Sequence, residues 1–219
     1  LGAGWGEDRL KDTGQGSNFN PGKTAENRYL AADDLKAIQS QKQRRWTTVL
    51  RESGKNGEVA LVKAAQEAGE KKMRLFGMFG VQKGHLPFQT ADGGFDPTLS
   101  AGAVVANLAT TVAAEKYSQA DIGENPTLSQ MANAALTVLA ARSDRFWLMV
   151  EAGDVDWANH ANNIDNSIGA VLSGDSAFKS VTDWVETNGG WEDTAVFVTA
   201  DHGHYFVLEK PGALVPAPQ

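Results

Sequence analysis

The sequence predicts an α/β fold: a mostly parallel sheet covered by helices on both faces. Three observations carry this. Near-continuous apolar runs, in "MRLFGMFG", "RFWLMVEAG" and "TAVFVTADHGH", read as strands buried on both faces. Stretches with apolar residues at helical spacing lie between them. Strands that alternate with helices belong to sheets with crossover connections, not to sandwiches or bundles. With 219 residues, 42% hydrophobic and 21% charged, the chain is long enough to bury such a core.

Residues 1–28, rich in Gly, Asn and Thr, are expected to form a loop-rich start. A helix is expected in "LAADDLKAIQS". A strand is expected in "RRWTTVLRE", whose β-branched residues suit a pleated surface, and "SGKNG" turns the chain. "EVALVKAAQEAGEKK" sets Val59, Leu61, Val62, Ala65 and Ala68 near helical spacing, with lysines at its end. "MRLFGMFG" is a short strand closed by glycines, and "AGAVVANLATTVAAEKY" is read as holding a helix. Asn125 and Pro126 are expected as N-cap and first residue of the next helix. Its Leu128, Met131, Ala132, Ala135, Leu136 and Leu139 make one apolar face. Strand "RFWLMVEAG", helix "AFKSVTDWVETNGG" with its Gly stop, and strand "TAVFVTADHGH" follow. The Pro-rich residues 209–219 are an irregular tail. The whole is read as a single domain over 1–219, with no internal repeat.

The bulk numbers exclude several functions. A net charge of −7 and a pI of about 5.1 argue against binding a nucleic-acid backbone. Without cysteine there are no disulfides, no thiolate chemistry and no Cys-type zinc sites. No apolar run is long enough to span a bilayer. The chain opens in "LGAGWGED", without an initiator Met, and is read as starting inside a longer protein; a missing signal peptide is then uninformative.

Ligands of open α/β sheets sit beyond the carboxyl ends of strands. Two predicted strands end there in metal-ligating residue types. One ends in Glu151 and leads to Asp156 and His160; the other ends in Asp201-His202-Gly203-His204. Three of the four histidines lie in these two places. Asp156 and His160, four apart, share a face on one turn of helix and can grip one ion. Carboxylate plus imidazole suits Zn²⁺, with ligands at roughly 2.0–2.2 Å. Asp201 and His202, being adjacent, reach one ion only where the strand breaks, and Gly203 permits that break. Glu151, a hard oxygen donor, suits Mg²⁺. Each motif alone is common; both together at successive strand ends point to a metal site. Asp154 is read as a loop acid, His85 as solvated, and Trp147, Trp184 and Trp191 as core or rim residues.

"LMVEAGDVDWANHANN", followed some forty residues later by "VFVTADHGH", resembles the alkaline phosphatases. Weaker likenesses in "LFGMFG", "PTLSQM" and "LGAG" come in the same order. The departures are Ala152 where glycine is usual, and Trp157 where Lys or His often follows the metal-binding Asp. The resemblance implies an alkaline phosphatase-like α/β fold without its N-terminal part, with 146–208 as the metal-ligand core. It implies two zinc ions, one on Asp156 and His160 and one on Asp201 and His202, and a magnesium ion on Glu151. His204 would orient a ligand carboxylate, and Trp157 would alter the electrostatics around metal and phosphate. The implied reaction is hydrolysis of phosphate monoesters through a phosphoserine. A homodimer and a periplasmic or extracellular location come with the same resemblance.

The family's nucleophilic Asp-Ser-Ala/Gly motif, its bridging Asp, a Thr ligand, a phosphate-binding Arg and a third zinc His have no counterpart in this sequence. "GDSAF" copies the nucleophile motif at Asp175-Ser176-Ala177 but stands between the two metal motifs. There Ser173 or Asp175 is read as the cap of the helix carrying Phe178, Val181 and Trp184. The expectation is therefore the downstream half of an alkaline phosphatase-like enzyme, inactive by itself. The alternatives are a related phosphodiesterase, sulfatase or mutase, or a non-catalytic remnant that binds metal. Glu151, the magnesium-type ligand, favours the phosphatase.

Overall fold

The computed structural model describes residues 1–4, 32–40, 45–81, 85–96, 102–105, 108–111 and 116–204. Most of the predicted loop-rich start and the tail over 209–219 lie outside these residues.

The first helix, α1 (Ala32–Gln39), precedes β1 (Trp46–Leu50), α2 (Gly57–Glu70) and β2 (Arg74–Met78). β1 and β2 pair in parallel, Trp46 opposite Arg74 through Leu50 opposite Met78, with α2 as the crossover. Asn56 caps α2 by accepting from Val59 N, as an N-terminal amide oxygen does. Of the apolar residues read at helical spacing, Leu61, Ala65 and Ala68 are buried, together with Ala64, whereas Val59 and Val62 are exposed. Gly2 extends the free edge of β2: its N–H donates to Gly77 O at 3.1 Å and its carbonyl accepts from Phe79 N at 2.9 Å.

Residues 102–111 correct the predicted helix. They form an antiparallel pair, β3 (Gly102–Val105) and β4 (Leu108–Thr111). The β-branched Val104, Val105, Thr110 and Thr111 favour extended backbone over the weak helical spacing of the alanines.

α3 (Gln119–Gly123) and α4 (Leu128–Arg142) follow. α4 is capped by Thr127, not Asn125: Thr127 Oγ1 accepts from Gln130 N, and Gln130 Oε1 accepts from Thr127 N at 2.8 Å. Asn125 instead ties the end of the sheet to α3, accepting from Gly80 N and donating to the Asp121 carbonyl. Thr127→Ala is expected to cost about 1 kcal/mol in urea unfolding, the usual worth of an N-cap. α4 packs against α2, where small residues let the backbones approach; a Cβ on Gly69 would already sit 3.3 Å from Ala141 Cβ. Met131, Ala134 and Val138 join Leu61, Phe79 and Val49 in one core.

α5 (Asp154–His160) leads directly into α6 (Ile164–Thr187). The predicted helix start near Ser173 moves back nine residues to Ile164. Asn163 is the cap, accepting from the N–H groups of Asp165 and Asn166. Ser173 and Asp175 are therefore interior to α6. α6 lies on the other side of α4, joined by a 2.8 Å contact between Ser129 and Ser180 hydroxyls. The expected Gly stop is present: Gly190 N donates to Val185 O at 2.8 Å, with Gly189 and Gly190 at positive φ.

The runs 146–151 and 195–200 correct two predicted strands. Neither is in a sheet with β2, and no backbone–backbone hydrogen bond joins 146–151 or 195–200 to another described residue. Trp147 is 79% exposed and Phe197 89%. Apolar, β-compatible sequence becomes a strand only where a neighbouring backbone completes the ladder.

Candidate metal centre

The site is built on the turn from the 146–151 run into α5. Gly153 precedes the helix, and Asp154 and Asp156 fall in its first turn, where the helix dipole favours negative charge. Asp156 and His160 are one turn apart on the same face, with His160 Nε2 3.6 Å from Asp156 Oδ1. The second run ends in a bend at Asp201. That break carries two more imidazoles to the same carboxylate: His204 Nε2 is 2.7 Å and His202 Nε2 3.4 Å from Asp156 Oδ1. The His160 and His204 rings meet edge to face at 4.6 Å, and the His202 and His204 centroids are 5.0 Å apart.

The electrostatics follow this geometry. The hydrogen bond from His204 holds the Asp156 carboxyl below the usual carboxylate range; partial burial opposes it, and the neighbouring imidazoles add to it. His202 is shifted upward, mainly because its Nδ1 faces the Gly203 carbonyl at 3.1 Å and secondarily because Asp201 is near. An open groove of about 340 Å³ adjoins the cluster, lined by Asn159, His160, Asn162, His202, Gly203 and His204.

Asp156, His160 and His204 form a donor group able to hold a metal ion, their ligand atoms all within 4.8 Å of one another. One carboxylate and imidazole nitrogens are a donor set that fits zinc. Glu151, Asp201 and His202 are not in this group. Glu151 folds back against Gly153, and Asp201 has a side chain 92% exposed that accepts from His202 N. Trp157 is exposed beside the cluster.

Two scaffolding features brace α5. Asn166 donates to Gln89 O at 3.1 Å, and Asp165 accepts from Ala91 N at 2.9 Å, so the loop 85–96 is clamped to the start of α6. Ser167 Oγ donates to Asn159 Oδ1 at 2.7 Å, tying α6 back to α5. The sequence reading missed these residues; an N-cap Asn directly after a seven-residue helix was the available signal. Asp154, read as a loop acid, is the first residue of α5, and burial pushes its pKa up to about 6 against the opposing influence of His85. His85, read as solvated, is half-buried: it stacks on Phe88 at 4.1 Å, with Nδ1 at 2.6 Å from Leu86 O. Ser176 lies in the middle of α6, its hydroxyl donating to Leu172 O at 2.9 Å.

The alkaline phosphatase family profile matches residues 36–214. The chain belongs to the alkaline phosphatase family. It is 30% identical over 155 residues to Alkaline phosphatase H of Pseudomonas aeruginosa (strain UCBPP-PA14), covering 71% of this chain and 30% of that protein. It is 33% identical over 91 residues to Alkaline phosphatase of Escherichia coli (strain K12), covering 42% of this chain and 19% of that protein. Against Alkaline phosphatase 3 of Bacillus subtilis (strain 168) it is 35% identical over 77 residues, covering 35% and 16%. The alkaline phosphatase matches thus span less than a third of these relatives' own lengths. Among the described residues no helix is long and apolar enough to cross a membrane.

Proposed function

We propose that these 219 residues supply the metal-holding part of a phosphomonoesterase of the alkaline phosphatase type, with the nucleophilic serine on polypeptide outside them. The observation that carries this reading is the convergence of His160, His202 and His204 on Asp156, beside an open groove. In the complete enzyme, Asp156 and His160 would hold one zinc, Asp201 and His202 a second, and Glu151 a magnesium. Ions at such a centre neutralise charge on the oxygens of a phosphate ester undergoing in-line displacement. His204 orients the Asp156 carboxylate through its 2.7 Å hydrogen bond, and Trp157 offers an apolar rim in place of a basic residue.

The bare 146–150 and 195–198 runs support a single partial domain over 1–219, whose 146–208 core receives further strands from the rest of the fold. A phosphate monoester substrate, a homodimer and a periplasmic or extracellular location belong to the same reading.

The test is p-nitrophenyl phosphate hydrolysis with zinc and magnesium. The 219-residue chain alone is expected to show no turnover above background, and Ser176→Ala to change nothing. Fused behind the upstream part of the Pseudomonas relative, it is expected to turn over, with a loss of about 100-fold or more on Asp156→Asn. An inert, folded, metal-loaded fusion contradicts the phosphatase reading. Turnover by the chain alone that survives Ser176→Ala makes water the nucleophile; turnover abolished by Ser176→Ala makes Ser176 the nucleophile.

A further inference from the structure

The sequence holds two Asn-Gly pairs, Asn56-Gly57 and Asn188-Gly189, and the structure sets them in opposite surroundings. An asparagine followed by glycine can close on itself, the glycine nitrogen attacking the side-chain Cγ, because no Cβ shields that nitrogen and the backbone turns freely. In a folded chain the ring closes only where the glycine has room to turn. Gly57 has none. It is buried at the start of α2, and a Cβ there would overlap the Glu124 carbonyl and the Asn125 backbone. Asn56 is itself fixed as the cap of that helix, its Oδ1 2.9 Å from Val59 N. Turning Gly57 N onto Asn56 Cγ would push the first turn of α2 off residues 124 and 125.

Asn188 stands in the open at the C-terminal end of α6, exposed to water. Gly189 and Gly190 follow at φ 114° and 79°, and no described atom lies within 4 Å of where a Cβ would be on either. Among the described residues the Gly189 N–H has no acceptor, so it is free to lose its proton and attack. The side chain of Asn188 is held through Nδ2, which donates to Trp184 O at 2.8 Å and to Thr187 Oγ1 at 2.9 Å. Nδ2 is the atom that leaves.

We propose that Asn188 is a site of spontaneous covalent modification, deamidating through a succinimide with Gly189, while the packing of Gly57 protects Asn56. Hydroxide removes the Gly189 amide proton, the nitrogen bonds to Asn188 Cγ, and the Cγ–Nδ2 bond breaks. Nδ2 departs as ammonia, taking a proton from water. A second water opens the ring at either carbonyl and leaves aspartate or isoaspartate, so the net change is one water consumed and one ammonia released. The product places a carboxylate at the negative end of the α6 dipole and has no N–H to give the Trp184 carbonyl. The isoaspartate form also lengthens the backbone inside the turn that Gly190 N closes on Val185 O. Modification therefore loosens the last turn of α6. The inference uses neither the metal centre nor phosphatase chemistry.

The test incubates the folded 219-residue chain at mildly alkaline pH and follows it by isoelectric focusing and peptide mapping. Asn188→Asp marks where the product band runs, one negative charge beyond the parent's formal −7. A time-dependent shift to that band is expected, with aspartate and isoaspartate at position 188 and Asn56 intact. Unfolding in urea is expected to let Asn56 convert as well. Gly189→Ala, which shields the attacking nitrogen with a Cβ, is expected to lose the shift over the same period. An Asn188 that stays intact for as long as Asn56 takes to convert in urea overturns the proposal. So does conversion of both asparagines together in the folded chain, or a shift unchanged by Gly189→Ala. Should that variant not fold, the comparison of the two asparagines in the unaltered chain decides alone.

Discussion

Arg51→Ala is expected to destabilise the chain by about 3–5 kcal/mol, the usual cost of removing one partner from a buried ion pair. Arg51 stands at the end of β1 and is only 3% exposed. Its Nε donates to Glu124 Oε2 at 2.9 Å, one terminal nitrogen donates to Gly80 O at 2.8 Å, and the other lies 2.9 Å from Asp121 Oδ1. Glu124 in turn accepts from Gly54 N at 2.6 Å. Without the guanidinium, two buried carboxylates face each other across the joint between the sheet and α3. Burial works to raise the Asp121 pKa, but hydrogen bonds from Ser118 and the Arg51 guanidinium outweigh it and hold it low. A carboxyl whose folded pKa is depressed contributes its stability above the unfolded value of about 3.9 and loses it as pH falls through the folded pKa. The deficit of Arg51→Ala is therefore full at neutral pH and shrinks below about pH 4. Urea titrations at neutral and acidic pH measure both; an unfolding free energy within 1 kcal/mol or so of the parent at neutral pH would remove the clamp from the account.

Gly169→Ala is the second large effect. Gly169 lies on the face of α6 that meets the loop 85–96, where a Cβ would fall inside the contact distance of the Gln89 carbonyl and the Thr90 backbone. Backbone cannot swing aside as a flexible side chain does. The loop must lift off α6, breaking the Asn166–Gln89 and Asp165–Ala91 hydrogen bonds. The expected cost is about 1–3 kcal/mol or more. Because α5 is braced by the same region, zinc affinity is expected to fall as well, although Gly169 touches none of the site. Urea unfolding and zinc calorimetry on one preparation check the pair of effects.

The helices with a strong apolar period, α2 and α4, were legible because the period is a local property of the chain. The same holds for Asp156 and His160, whose i, i+4 spacing needs only one turn of helix. The cap of α4 was also written locally, in Thr127-Leu128-Ser129-Gln130, but Asn125-Pro126 offered a competing signal. Asn125 was needed elsewhere, between Gly80 and α3, and only the tertiary structure shows that. The early start of α6 was hidden by Ser173 and Asp175, cap-type residues that lie inside the helix, downstream of the Asn163 that caps it. Gly169 is present because a loop backbone crosses close above it. The 146–151 and 195–200 runs have the composition of strands, but strand pairing is a property of two segments and not of one. The meeting of His202 and His204 with Asp156 joins residues over forty positions apart; no local spacing carries it, and the sequence pointed to it only through two metal-type motifs at successive predicted strand ends.

Calorimetric zinc titration of the chain and of Asp156→Asn tests the central claim most directly. Every imidazole in the centre is arranged around that one carboxylate. The expected result is saturable zinc binding by the parent and a loss of affinity of about 100-fold or more in the variant, with the helical circular dichroism unchanged. Equal zinc affinity in the two proteins would contradict it.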